Sequence, residues 1–200
     1  MIHKENIVHF RFIRLVLITL SLAAIPAEAA EYPKVRIETT VGDFLVELDD
    51  ARAPLTVENF MQYVEDGFYE GTIFHRVVSG FVIQGGGYTV DLTAKPPRDS
   101  IVNESGNGLS NQRLTIAMAR TSDPHSADAQ FFINLADNLA LDPKPTRWGY
   151  AVFGVVTEGI DTVDAIGHRA TGTRGEFQNV PAVPVIIERM VVVEENGDGQ

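Results

Sequence analysis

The chain has 200 residues, 44% of them hydrophobic and 22% charged, with no cysteine. That composition suits one globular domain and excludes a disordered, collagen-like or disulfide-stapled chain, as well as a thiolate zinc site or a cysteine nucleophile. A formal net charge of −11 without any cluster of Lys and Arg also speaks against nucleic acid as a partner, because phosphates need a basic patch.

In chain order, Lys4, Arg11 and Arg14 precede an apolar run from Leu15 to Ile25, which is followed by Ala27-Glu28-Ala29. Charged, apolar and small-residue segments in this order predict a secretory signal peptide over residues 1–29. The apolar run is eleven residues long, where a spanning helix needs about 20, so a retained membrane anchor is the weaker alternative. Cleavage removes three basic and two acidic groups and leaves a domain over 30–200, 171 residues of net charge −12. A domain of that size buries roughly 70% of its unfolded surface in one core.

Val35-Arg36-Ile37-Glu38-Thr39 alternates apolar with polar, and Phe44 to Leu48 follows after Val41-Gly42-Asp43, which predicts a two-stranded hairpin. The period then changes. Leu55, Val57, Phe60, Met61 and Val64 mark one face of a helix over 54–68, with Pro54 suited to its first turn and Gly67 to its stop. Short β-like runs follow over 73–78, 81–84, 114–118, 131–135 and 150–155, then a short helix over 159–166 and a last strand or two within 183–193. Two helices at separate points among many strands indicate a mainly β closed barrel or sandwich rather than βαβ units. The stretch from Tyr88 to Gln112 has little periodicity and reads as a long loop, and only 196–200 reads as a frayed tail.

Generic catalytic signatures are missing. Gly85-Gly86-Gly87 lacks the spacing of a dinucleotide fingerprint and has no phosphate-loop lysine after it, so a turn or a close backbone approach is its simplest reading. His75, His125 and His168 have no second His or carboxylate at metal-ligand spacing, and no serine sits in a Gly-x-Ser-x-Gly elbow. This pattern points to chemistry that breaks no covalent bond, or to no chemistry. Two segments stand out: Phe74-His75-Arg76 through Phe81-Val82-Ile83-Gln84-Gly85-Gly86-Gly87, and Ile116-Ala117-Met118-Ala119-Arg120 with Gln130-Phe131-Phe132-Ile133-Asn134. Polar side chains in such half-buried strands are either paired or exposed at a cleft, since an unpaired buried donor costs about 1–3 kcal/mol.

At these segments the sequence closely resembles the cyclophilin family of peptidyl-prolyl cis-trans isomerases, in particular the periplasmic cyclophilins of Gram-negative bacteria. The resemblance extends through Ala53-Pro54-Leu55-Thr56-Val57-Glu58-Asn59-Phe60, Gly67-Phe68-Tyr69-Glu70-Gly71-Thr72 and Gly149-Tyr150-Ala151-Val152-Phe153-Gly154, and covers about residues 35–193. It implies a closed eight-stranded antiparallel barrel capped by two helices, with a substrate groove on its outer surface. It further implies a catalytic set of Arg76, Gln84 and Phe81, with Arg76 the principal residue. Val82, Phe132, Leu141 and Tyr150 match the remaining pocket positions for a proline ring, and Ala119, Arg120 and Gln130 match positions along the groove. No metal or cofactor is implied. The implied partners are proline-containing segments of exported proteins, met in the periplasm by a monomer that has no membrane attachment once the signal is removed.

Taken singly, these residues read more plainly. Phe81 and Phe132 would be core, Gln84 and Gln130 would satisfy backbone groups, and Arg76 would be a surface or ion-paired cation. Their joint occurrence in the family's order is what changes those readings. His75 and Glu104 read as structural, and Trp148 as packing. The sequence departs from the pattern at Ala140, where eukaryotic relatives carry a Trp, which implies a more open rim and weak binding of cyclosporin-type macrolides. Tyr150 stands where a His is common. The alternative function is a module that binds proline-containing segments with little turnover; an intact Arg76, Phe81, Gln84 and Phe132 set favours the enzyme.

Overall fold

The structure, a computed structural model, describes residues 32–193; the export signal over 1–29 and the tail over 196–200 lie outside the described residues. Alternating side chains set up the first hairpin, β1 (Lys34–Thr39) and β2 (Gly42–Leu48), paired in register from Lys34↔Glu47 to Thr39↔Gly42. Helix α1 (Pro54–Glu65) follows, then β3 (Arg76–Val78), β4 (Val82–Gly85), β5 (Thr115–Met118) and β6 (Phe131–Asn134). The chain continues through β7 (Val152–Glu158), α2 (Ile160–Gly167), a small hairpin of β8 (Thr171–Arg174) and β9 (Phe177–Pro181), and β10 (Ile187–Val193). No helix among the described residues is long and apolar enough to cross a membrane.

Eight strands form one curled antiparallel sheet in the order β10-β1-β2-β7-β5-β6-β4-β3. The expected closed barrel is seen in part, as a curled half-barrel capped by two helices: the edge strands β10 and β3 share no ladder. Their flanks meet only at the isolated Ile73↔Ile186 bridge, beside bonds from Phe74 N to the Val185 carbonyl at 3.0 Å and from Ile187 N to the Thr72 carbonyl at 2.8 Å. The edge strand β3 is only three residues long.

Helix α1 stops as its sequence indicates, though three residues earlier than 68. Gly67 takes φ 64°, Phe68 N bonds the Tyr63 carbonyl and Gly67 N bonds the Val64 carbonyl, both at 3.0 Å, which is a Schellman stop on a left-handed glycine. At the other end Ala53 supplies no capping side chain. Glu104, 51 positions from Ala53 in the sequence, does so instead: its carboxylate accepts from Leu55 N at 3.2 Å, Thr56 N at 2.8 Å and Thr56 Oγ1 at 2.7 Å. The helix N-terminus thereby gains both an acceptor and a compensating negative charge.

The β period sorts side chains onto two faces. Ile83, Ile116, Phe131, Ile133 and Phe153 point into the main core with Phe60 and Tyr63 of α1, where Phe60 meets Phe131 edge-on at 5.7 Å. Their strand neighbours Val82, Ala117, Phe132 and Val152 form a separate buried cluster on the opposite face. That second cluster is the floor of the site.

Candidate active site

Arg76 and Gln84 are direct partners across β3 and β4, and Gln84 is in turn the partner of Phe132 on β6. Register alone therefore lines up three of the family-matched residues on one face. The half-buried Arg76 donates from Nη1 to Gln84 Oε1 at 3.3 Å, and Gln84 Nε2 donates to Gln130 Oε1 at 3.1 Å. This relay fixes the guanidinium, which lies 5.8 Å from the centre of the Phe81 ring.

Gln130 has room because of a glycine. A Cβ on Gly87 would stand 2.6 Å from Gln130 Cγ, so the Gly85-Gly86-Gly87 run serves close approach, in keeping with its simplest reading. Phe132 meets Tyr150 edge-on at 5.6 Å. Arg120 stacks on Tyr150 at 4.6 Å and donates to three backbone carbonyls, those of Gly149 at 3.2 Å, Thr121 at 2.8 Å and Trp148 at 3.0 Å. Its side chain is thus committed to holding the Tyr150 segment rather than standing free in the groove.

Between these residues lies a cavity of about 160 Å³ walled by Phe81, Val82, Phe132, Leu141 and Tyr150, with Ala119 and Arg120 on one side and Arg76 and Gln84 on the other. Gln130 lines an adjoining hollow of about 120 Å³ that shares Gln84, Ala119 and Arg120. All ten candidate residues therefore converge on one groove on the outer face of the sheet. A larger hollow of about 490 Å³ between α1 and residues 98–102 is lined by none of them. The apolar wall, with Arg76 on one side and Arg120 on the other, can seat a small hydrophobic ring while presenting N–H donors to a polar group beside it. Ala140 is exposed, and Arg147 donates from Nη2 to its carbonyl.

Ala117 and Val152 in the floor, Leu109 packed against it, and Asp128, Thr121 and Ser126 in the adjoining hollow were not singled out from the sequence. Period two would have found the first pair: Ala117 lies two residues from Ala119, and Val152 two from Tyr150. No local pattern marks the others, which come from irregular segments.

His75 points to the other side of the sheet from Arg76. It is 5% exposed, meets the Tyr88 ring edge-on at 4.7 Å, and its Nδ1 has no partner among the described residues. Burial, and then the neighbouring Arg76 charge, lower its pKa from 6.5 to about 4, so the ring is neutral at pH 7.

Residues 34–192 match the family described as cyclophilin type peptidyl-prolyl cis-trans isomerase/CLD. The chain belongs to the cyclophilin family. Among curated cyclophilin relatives, peptidyl-prolyl cis-trans isomerase cyp18 of Streptomyces antibioticus is 56% identical over 157 residues, covering 77% of this chain and 95% of that one. Peptidyl-prolyl cis-trans isomerase B of Escherichia coli is 49% identical, covering 80% and 99%. A cyclophilin type peptidyl-prolyl cis-trans isomerase of Cryptosporidium parvum, crystallised in the presence of the dipeptide Ala-Pro, superposes with a TM-score of 0.68 at 26% identity, covering 80% of this chain and 99% of that one.

Proposed function

We propose that this cyclophilin catalyses cis-trans rotation about Xaa-Pro peptide bonds, with Phe81, Val82, Phe132, Leu141 and Tyr150 seating the proline ring and Arg76 as the principal catalytic residue. The rotation faces a barrier of about 18–20 kcal/mol because twisting destroys amide resonance, while the two Xaa-Pro isomers differ little in energy. Neither a nucleophile nor a covalent intermediate is required. The ring is held, the preceding residue turns, and a donor stabilises the charge redistribution as resonance is lost. One observation carries this reading: the Arg76 guanidinium stands at the edge of the apolar cavity, oriented by Gln84 and Gln130. Its permanent charge and remaining N–H groups offer hydrogen bonds to the prolyl nitrogen or the substrate carbonyl. Gln84 orients Arg76 and, with Ala119, Arg120 and Gln130, borders the peptide's path.

Residues 1–29 serve as a cleaved signal in this proposal, so that a monomer of residues 30–200 works in the periplasm on proline-containing segments of exported proteins. The proposal extends to the fold: Ile73 and Ile186 mark the seam at which the curled sheet closes as the family's barrel does. N-terminal sequencing of the exported protein is expected to begin at Ala30. Cis-to-trans exchange of an Ala-Pro peptide, followed by NMR with purified residues 30–200, tests the activity. Arg76→Ala is expected to slow exchange by about 10²–10³-fold, the range for removing one transition-state donor. Equal rates for the two proteins would refute the catalytic assignment, and peptide binding without exchange by the wild type would identify a binding module.

A further inference from the structure

The walls of the proposed prolyl pocket are held in two different ways. Val82 and Phe132 belong to β4 and β6 and are fixed by their ladder. Phe81, Leu141 and Tyr150 do not: Phe81 lies just before β4, Leu141 ends a single 3-10 turn (Leu139–Leu141), and Tyr150 precedes β7. Few backbone bonds hold them, among them Leu135 N to the Phe81 carbonyl at 2.8 Å and Tyr150 N to the Leu141 carbonyl at 3.0 Å, and segments with so few bonds gain rigidity from a side-chain tether.

The structure assigns that tether to Asn111, as a positioning residue for the pocket. Asn111 comes from the irregular stretch 88–112 and is fully buried. Its backbone N–H and its Nδ2 both donate to Asp142 Oδ1, at 2.7 and 2.9 Å, one residue after Leu141. The same Nδ2 donates to the Tyr150 carbonyl at 3.3 Å, and the Asn111 carbonyl accepts from Asn138 N at 2.7 Å. Its Oδ1 accepts from Asn134 Nδ2 at 3.2 Å. Asn138 completes the circuit, donating from Nδ2 to Asn134 Oδ1 at 2.7 Å and to the Phe81 carbonyl at 2.8 Å. Asn111 thus holds the Leu141 and Tyr150 segments directly and, through Asn134 and Asn138, the Phe81 segment.

The chemistry requires Asn at this position. Both N–H groups of the amide are used, one on a carboxylate and one on a carbonyl, and its oxygen is used as well. Asp would lose both donors and face Asp142 with a second negative charge, and an apolar side chain would take one donor from the half-buried Asp142 and one acceptor from the buried Asn134. Asn111 reaches the groove through other residues, so its effect falls on how well the ring is seated rather than on how fast the seated bond turns.

This inference rests on the prolyl-pocket reading, and the experiment separates the two. The Ala-Pro peptide exchange assay is run on residues 30–200 of the wild type, Arg76→Ala, Asn111→Ala, Asp142→Asn and Asn138→Ala, with near-UV circular dichroism to verify tertiary packing. Asn111→Ala is expected to raise KM about tenfold with kcat changed less than about twofold, and Asp142→Asn and Asn138→Ala to raise KM about threefold. Packed Asn111→Ala with wild-type KM, or with reduced kcat at unchanged KM, overturns the assignment. Where Asn111→Ala does not fold, the other two variants decide, and wild-type KM in both overturns it. If Arg76→Ala exchanges the peptide as fast as the wild type, the pocket reading itself fails; if Arg76→Ala is slow while the three KM values stay at the wild-type level, only the positioning role of Asn111 fails.

Discussion

Replacing His75 with Gln is expected to flatten the acid side of the stability curve. In the folded protein His75 is buried, its Nδ1 lacks a partner among the described residues, and its pKa falls to about 4; in the unfolded chain it returns to 6.5. The unfolded state therefore binds more protons between those values, and stability is lost as the pH falls from about 6.5 to 4. Above that window both states are neutral, and below it both are protonated, so the loss is complete. A difference between 6.5 and about 4 corresponds to about 3 kcal/mol. Gln has an N–H donor and no proton to gain. Urea unfolding of wild type and His75→Gln at pH 7.5, 6, 5 and 4 measures the effect, since His125 and His168 contribute equally to both proteins and cancel in the difference. The wild type is expected to lose about 3 kcal/mol more than the variant between pH 7.5 and 4. Parallel curves would refute the reasoning, as would a ring NMR titration of His75 centred near 6.5.

Three further substitutions address other contacts. Gly87→Ala places a Cβ against Gln130, breaks the Gln84 relay and is expected to lower kcat/KM for the Ala-Pro peptide about tenfold with a small stability change, checked by exchange NMR and urea unfolding. Glu104→Ala uncaps α1 and is expected to cost about 1–2 kcal/mol of stability at pH 7, measured by urea unfolding. Arg120→Ala removes three carbonyl contacts and the stack on Tyr150 and is expected to raise the peptide KM about fivefold, with the KM measured by exchange NMR at increasing peptide concentration.

Where a single period governs a segment, the sequence displayed its structure. The alternation of Val35 to Thr39 and the helical face of Phe60, Met61 and Val64 appear as β1 and α1. The β8–β9 hairpin escaped notice because all four residues of Thr171–Arg174 are exposed, so no apolar face marks them. Tyr150 and Ala151, read as the start of a strand over 150–155, precede β7 instead: Tyr150 N bonds the Leu141 carbonyl at 3.0 Å, which ties it to the site loop. The stretch 88–112 has strand pairing only at isolated bridges, yet Glu104, Asn103 and Asn111 anchor it through bonds to residues more than twenty positions away, and such pairings leave no local trace. The closed barrel was expected from the family, and the arrangement of the sheet's edges depends on Ile73 and Ile186, 113 positions apart.

The groove residues came from family order rather than from any pattern in the residues themselves, because Phe81, Phe132 and Gln84 look like ordinary barrel residues one at a time. The role of Arg120 was legible only in part: a matched position says that a side chain is near the groove, while its three carbonyl partners say what it does there.

The sorting of β4 and β6 onto two faces has a consequence for how variation is tolerated. Ile83 and Phe131 fill the interior while their immediate neighbours Gln84 and Phe132 line the groove, so one stretch of backbone answers to two demands at once. A slip of one residue in either strand would send the glutamine into the oil and the isoleucine into the groove, abolishing fold and chemistry together. A cavity opened behind the sheet, as by Ile83→Val, would likewise be felt in front of it through the shared main chain, as a blurred seat for the ring. Random substitutions in the hydrophobic interior of this protein should therefore impair turnover before they impair solubility.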